Sequence, residues 1–162
     1  MLTLSIFALT LAASGFGSVQ AQEEFAAPAQ AQAAPSGADW NIVSRSSHTV
    51  FMTDVNGVKQ TNGVTIAQVA RVPASGDTGN LSHSVTELSF RCSANQSKAG
   101  EEVYYAADGS VEERIPNDLD FEPIPANSLD AYVKAVVCGG DRSPKSFPSV
   151  AAFIAAGRPT RD

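Results

Sequence analysis

Ser84-Val85-Thr86-Glu87-Leu88-Ser89-Phe90-Arg91-Cys92 is the stretch from which the fold is read. Thr86, Leu88, Phe90 and Cys92 fall on one side of a two-residue repeat, and Glu87, Ser89 and Arg91 on the other. Successive strand side chains point to opposite faces, so the alternation predicts a half-buried strand with Cys92 on its inner face. Glu87, Ser89 and Arg91 are then expected on an exposed sheet face.

Upstream, the chain continues in β-rich segments. Trp40-Asn41-Ile42-Val43 predicts a first strand, with the only Trp as a core anchor. His48 to Val55 is rich in β-branched and aromatic residues and predicts a second. Asn56-Gly57 marks a tight turn, and Val64 to Val72 a third strand. Pro73 to Asn80 reads as a loop. Downstream, Ser93 to Gly100 reads as a polar loop. Val103 to Ala106 is expected as a strand that turns at Asp108-Gly109 into Val111 to Ile115. Asn117 to Pro125 is acidic and irregular.

A helix follows. Ser128 or Asn127 can cap it, and Asp130 lies in the first turn, where the helix dipole favours negative charge. Leu129, Tyr132, Val133, Val136 and Val137 form an apolar stripe at helical spacing. Gly139-Gly140 stops the helix just after Cys138. Laid on the sheet, the stripe brings Cys138 towards the face that carries Cys92. The fold class expected is α+β: a small antiparallel sheet of about five or six strands with a C-terminal helix packed on it, tied by one disulfide.

The disulfide depends on compartment. Residues 1–21 carry no charge, and the apolar run Leu2 to Ala13 suits a signal-peptide core too short to span a bilayer. Val19-Gln20-Ala21 suits cleavage after Ala21, although no Lys or Arg precedes the apolar run; a start upstream or an uncleaved anchor are the alternatives. No Cys precedes Cys92, so no lipid-anchored cysteine is expected, nor a membrane span after cleavage. In an oxidising compartment a lone pair of cysteines is expected to join. Reduced thiols or an intermolecular bridge are the alternatives. Residues 22–38, rich in Ala, Gln and Pro, read as a linker, 39–140 as the folded domain, and 141–162 as a tail. Within the tail, Val150 to Ala156 could form a short helix or strand, expected to pack loosely or to pair with a partner.

The order of these pieces resembles the surface-adhesin E-like family of small exported bacterial proteins. The pieces that match are Trp40, Phe51 to Asp54, Glu87-Leu88-Ser89-Phe90-Arg91-Cys92, Tyr105 to Gly109, Ile124-Pro125-Ala126-Asn127-Ser128 and Val137-Cys138. The resemblance implies a small antiparallel sheet with a disulfide-tied C-terminal helix. It also implies adhesion to host proteins at the cell surface.

Several chemistries fit poorly. His48 and His83 are the only histidines, and neither lies near a Gly-x-Ser-x-Gly elbow, which the chain lacks. They make a poor zinc site. Asp118, Asp120 and Glu122 alternate as in a calcium loop, but the positions that require Gly and Glu hold Pro123 and Leu129. No enzyme activity, metal or cofactor is expected. A net charge of −6 argues against nucleic acid and for basic partners. The function expected is therefore an exported binding protein, monomeric, in the periplasm or at the cell surface, with an unidentified protein partner. The alternative is an inhibitor of a basic enzyme such as lysozyme. Tyr104 and Tyr105 should point to opposite faces, one into the core. Tyr104, with Glu87, Ser89 and Arg91, is the expected binding surface, with the loops at Pro73–Asn80 and Ser93–Gly100 beside it.

Overall fold

A computed structural model describes residues 37–160. The expected signal peptide and nearly all of the expected linker lie outside these residues. Among those described, one antiparallel sheet holds nine strands, more than the five or six expected. The strands are β1 (Trp40–Arg45), β2 (Thr49–Asp54), β3 (Lys59–Thr61), β4 (Val64–Pro73), β5 (His83–Arg91), β6 (Gln96–Tyr105), β7 (Val111–Ile115), β8 (Glu122–Pro123) and β9 (Ser146–Phe147). Two short helices complete the fold, α1 (Leu129–Val137) and α2 (Val150–Ala155). The main path runs β7-β6-β5-β4-β2-β1-β9, with β3 on β4 and β8 on β6.

Three strands were not expected, β3, β9 and β8, the last pairing Pro123 with Gln96 inside the segment read as irregular, and β6 begins earlier than expected. β3 turns into β4 through Asn62-Gly63, both at positive φ (51° and 78°), the conformation a two-residue hairpin loop requires. Ser93–Gly100 is mostly strand: a turn at Cys92–Asn95, with Asn95 at φ 52°, sends β6 back along β5 from Gln96. That pairing with β5 overrides the polar character of Gln96-Ser97-Lys98. β9 pairs Phe147 with Trp40 and Ser146 with Asn41.

The sheet buries both faces. On one, Trp40, Ile42, Val50, Met52, Ala70, Val72 and Val85 pack under Val150, Phe153 and Ile154 of α2. On the other, Val43, Val69, Leu88 and Phe90 pack under Val133 and Val136 of α1, with Ile124. Adjacent residues such as Val69 and Ala70 serve opposite cores, as the two-residue repeat demands. In β1 the register with β2 shifts at a bulge between Ile42 and Ser44.

α1 is capped as expected. The Ser128 hydroxyl accepts from Ala131 N at 3.2 Å. At its end Gly140 adopts φ 83° and donates to Val136 O, and a Cβ at Gly139 would lie 2.6 Å from Ala135 O. Tyr132 departs from the expected stripe: it is exposed, whereas Val133 and Val136 are buried and Leu129 and Val137 pack beside them. Cys92 and Cys138 are bonded, with Cα atoms 5.9 Å apart.

The tail does not pack loosely. It belongs to the same compact unit as the rest of the domain. Ser143 N donates to Oδ1 of buried Asn41 at 2.9 Å, and Phe153 and Ile154 are fully buried. Further on, the buried Arg158 guanidinium donates to the carbonyls of Gly76, Asp77 and Asn80. Arg45 donates to those of Ala74, Arg158 and Pro159. The 73–80 loop is thus fastened to the C-terminal segment.

Candidate functional site

The two helices cover the sheet unequally. α1 lies over the Thr65, Leu88 and Phe90 end of its face, and the other end of that face is open. Strand register writes out what is there. One row across the sheet runs Phe51, Arg71, Ser84, Tyr104, Glu113. The next runs Thr53, Val69, Thr86, Glu102, Ile115. A cleft of about 360 Å³ sits here, lined by Thr49, Arg71, Ser84, Tyr104 and Glu112 among others.

Tyr104 is the centre of this surface. The neighbouring Glu102 carboxylate holds its hydroxyl above the usual phenol range; desolvation and the Glu113 charge add to this, and Arg71 opposes it. Tyr105 points to the opposite face, where it packs at the margin of the α2 core. It stacks on His83 with centroids 4.4 Å apart and planes 2° from parallel. Burial pushes the His83 imidazole below its ordinary pKa, partly offset by its hydrogen bond with Leu81 O.

This stacked pair carries a pH dependence. An imidazole whose pKa is lower in the folded state than its ordinary 6.5 takes up a proton more readily when unfolded. Stability therefore rises with pH across that interval and falls as pH drops below about 6.5. His83→Gln should flatten that part of the profile, measured by urea denaturation from pH 8 to 5. Equal slopes for the two proteins would show that His83 is not linked to folding.

The four residues expected to form one surface do not share one. Glu87, Ser89 and Arg91 lie on the α2 side of the sheet, and Tyr104 on the α1 side. Ser89 is buried, which corrects its expected exposure. Arg91 places its guanidinium carbon 4.0 Å from the Phe121 ring centroid, and Lys98 lies 5.6 Å from the same ring. Lys98 also pairs with Asp118. The 118–121 segment thus folds over that end of the sheet. Glu87 stays exposed, opposite the bulge at Gly100–Glu101.

A larger concavity lies elsewhere. It is a groove of about 740 Å³ beside α1, bordered by Cys92, Ile124, Ala131 and Cys138. Lys134 Nζ bonds Asn95 Oδ1 at 2.7 Å along it, which satisfies two of its polar groups. The open row around Tyr104 presents more uncommitted charge and is the stronger candidate.

Charge sets the β6–β8 side of the sheet apart. Residues 101–122 hold Glu101, Glu102, Asp108, Glu112, Glu113, Asp118, Asp120 and Glu122 against Arg114 alone, a balance of −7. The whole chain carries −6, so the remainder is close to neutral at +1. Glu102, Glu112, Glu113, Arg71 and Ser84 were not among the expected site residues. The clustering of carboxylates after Gly100 is legible in the sequence and would have pointed to the first three.

His48 is exposed and bonded to Ser47 Oγ. Among the described residues, no three His, Cys, Asp or Glu side chains gather as a metal-ligand set. Nor is any helix among them long and apolar enough to cross a membrane. No protein-family model matches the chain, and no match was found among curated proteins or solved structures.

Proposed function

We propose that the chain is an exported, non-enzymatic binding protein of the cell envelope whose partner is a basic protein. One observation carries the reading: Glu102, Glu112 and Glu113 stand beside Tyr104 at the open end of the sheet, faced by Arg71 alone. A patch with an excess of one sign beside an uncovered surface raises the encounter rate with oppositely charged partners and orients them. The aromatic ring of Tyr104 supplies contact area with little conformational entropy to lose. The resemblance to surface-adhesin E-like proteins supports an adhesive setting, at the surface or in the periplasm.

The test passes the mature chain over immobilised basic matrix and envelope proteins at increasing salt. Saturable binding is expected, weakening by roughly tenfold or more between low and high salt as charges are screened. Absence of saturable binding at micromolar protein would remove the reading. The same charge supports a second one, inhibition of a basic enzyme such as lysozyme. Full lysozyme activity at micromolar protein would eliminate it.

A further inference from the structure

β7 is the outer strand of the main sheet path, with β6 along one side and no strand among the described residues along the other. All of its residues, Val111 to Ile115, are exposed. A strand so placed presents unpaired backbone N–H and C=O groups that a further strand can engage. The opposite edge is different. There β9 pairs with Trp40 and Asn41, and Arg45 is engaged with the C-terminal backbone.

Two occupants fit an open edge, a second copy of this chain or a strand from another protein. Antiparallel self-pairing centred on Glu113 would match Val111 with Ile115 and Glu112 with Arg114. It would also set Glu113 against its own copy, at a cross-strand spacing of about 4.5–5.5 Å where like charges destabilise. It would join two segments that each carry −7. The bulge at Glu112 further twists the edge away from flat self-association. A basic strand meets neither of the charge penalties.

We infer that the β7 edge takes up an extended Lys- or Arg-bearing segment of the partner as an additional strand, with a basic side chain beside Glu113 on the face that carries Glu102 and Tyr104. This rests on the basic-partner reading and gives it a mode of binding. Main-chain hydrogen bonds to β7 supply register, and every second side chain of the segment falls on the Tyr104 face. A cation reaching inward from the new strand finds Glu113 first, then Glu102 and the Tyr104 ring, whose face attracts positive charge.

The experiment titrates the full mature chain, isotopically labelled, with an octapeptide of alternating Lys and Val, followed by amide NMR. A second peptide is identical but methylated at every backbone nitrogen, so it keeps the charges and cannot pair as a strand. The Lys–Val peptide is expected to shift the amides of residues 111–115 and slow their exchange. The methylated peptide should bind at least about tenfold more weakly, as should the parent peptide to Glu113→Lys. Equal affinity for the two peptides would overturn strand addition and leave the basic-partner reading standing. No shift with either peptide up to millimolar concentration would sink both. Concentration-dependent protection of residues 111–115 without peptide would overturn the inference in favour of a second copy.

Discussion

Replacing Cys92 and Cys138 together by Ala should lower the unfolding free energy by about 4 kcal/mol. The two residues are 46 apart in sequence, so the bond closes a long loop and removes many open conformations from the unfolded chain. The loop it closes contains β6, β7, β8 and α1, which include the whole acidic end of the sheet. α1 has only Val133 and Val136 fully committed to its core, a small apolar anchor for a nine-residue helix. The covalent tie therefore holds in place an element that packing alone secures weakly. Against a typical domain stability of ~5–15 kcal/mol, its loss removes a quarter or more of the margin. Urea denaturation of the double variant beside the oxidised parent measures this directly. A loss under about 1 kcal/mol would show that the unfolded chain is already compact over this loop.

The second large effect lies in the tail. Phe153→Ala should cost about 3–5 kcal/mol, the range for deleting a fully buried aromatic side chain. Phe153 is completely buried among Trp40, Ile42, Met52 and Val72, on the face of the sheet opposite α1. Its ring meets that of Phe147 edge-on, with centroids 5.2 Å apart. Removing it opens a cavity beneath a helix of six residues, too short to persist without that contact. The C-terminal segment should then detach, releasing Arg158 from the 73–80 loop. Denaturant midpoints together with amide exchange of that loop report both consequences. A cost of a few tenths of a kcal/mol would mean that the tail is peripheral.

That tail shows where sequence reading stops. Val150, Phe153 and Ile154 stand at i, i+3 and i+4, so an amphipathic turn is visible in the letters. Which surface receives it is not, because that depends on the α2 side of the sheet being left uncovered by α1. The strand at Ser84–Cys92 and the capped helix at Leu129–Val137 were legible because their signals are local: a two-residue alternation in one, a Ser cap and a Gly stop in the other. The hairpin at Asn62-Gly63 carries an equally local signal, an Asn-Gly pair at positive φ. β6 carries none over Gln96–Gly100, and only its partner β5 makes it a strand. Ser89 falls on the polar side of its repeat, yet it is buried, since alternation assigns a face and not what lies over it. The candidate site was half legible. Tyr104 and its opposition to Tyr105 follow from strand geometry, whereas the rows joining Arg71, Ser84 and Glu113 to it require the register of several strands.

The central claim is that the acidic, uncovered end of the sheet is the recognition surface. Glu102→Gln/Glu113→Gln and Glu87→Gln/Asp141→Asn each remove two exposed or half-exposed carboxylates and change net charge equally. Their affinities for the basic proteins retained by the native chain should separate, with a loss of about tenfold for the first pair and less than about twofold for the second. Equal losses for the two pairs would contradict the claim, because the attraction would then belong to net charge and not to this surface.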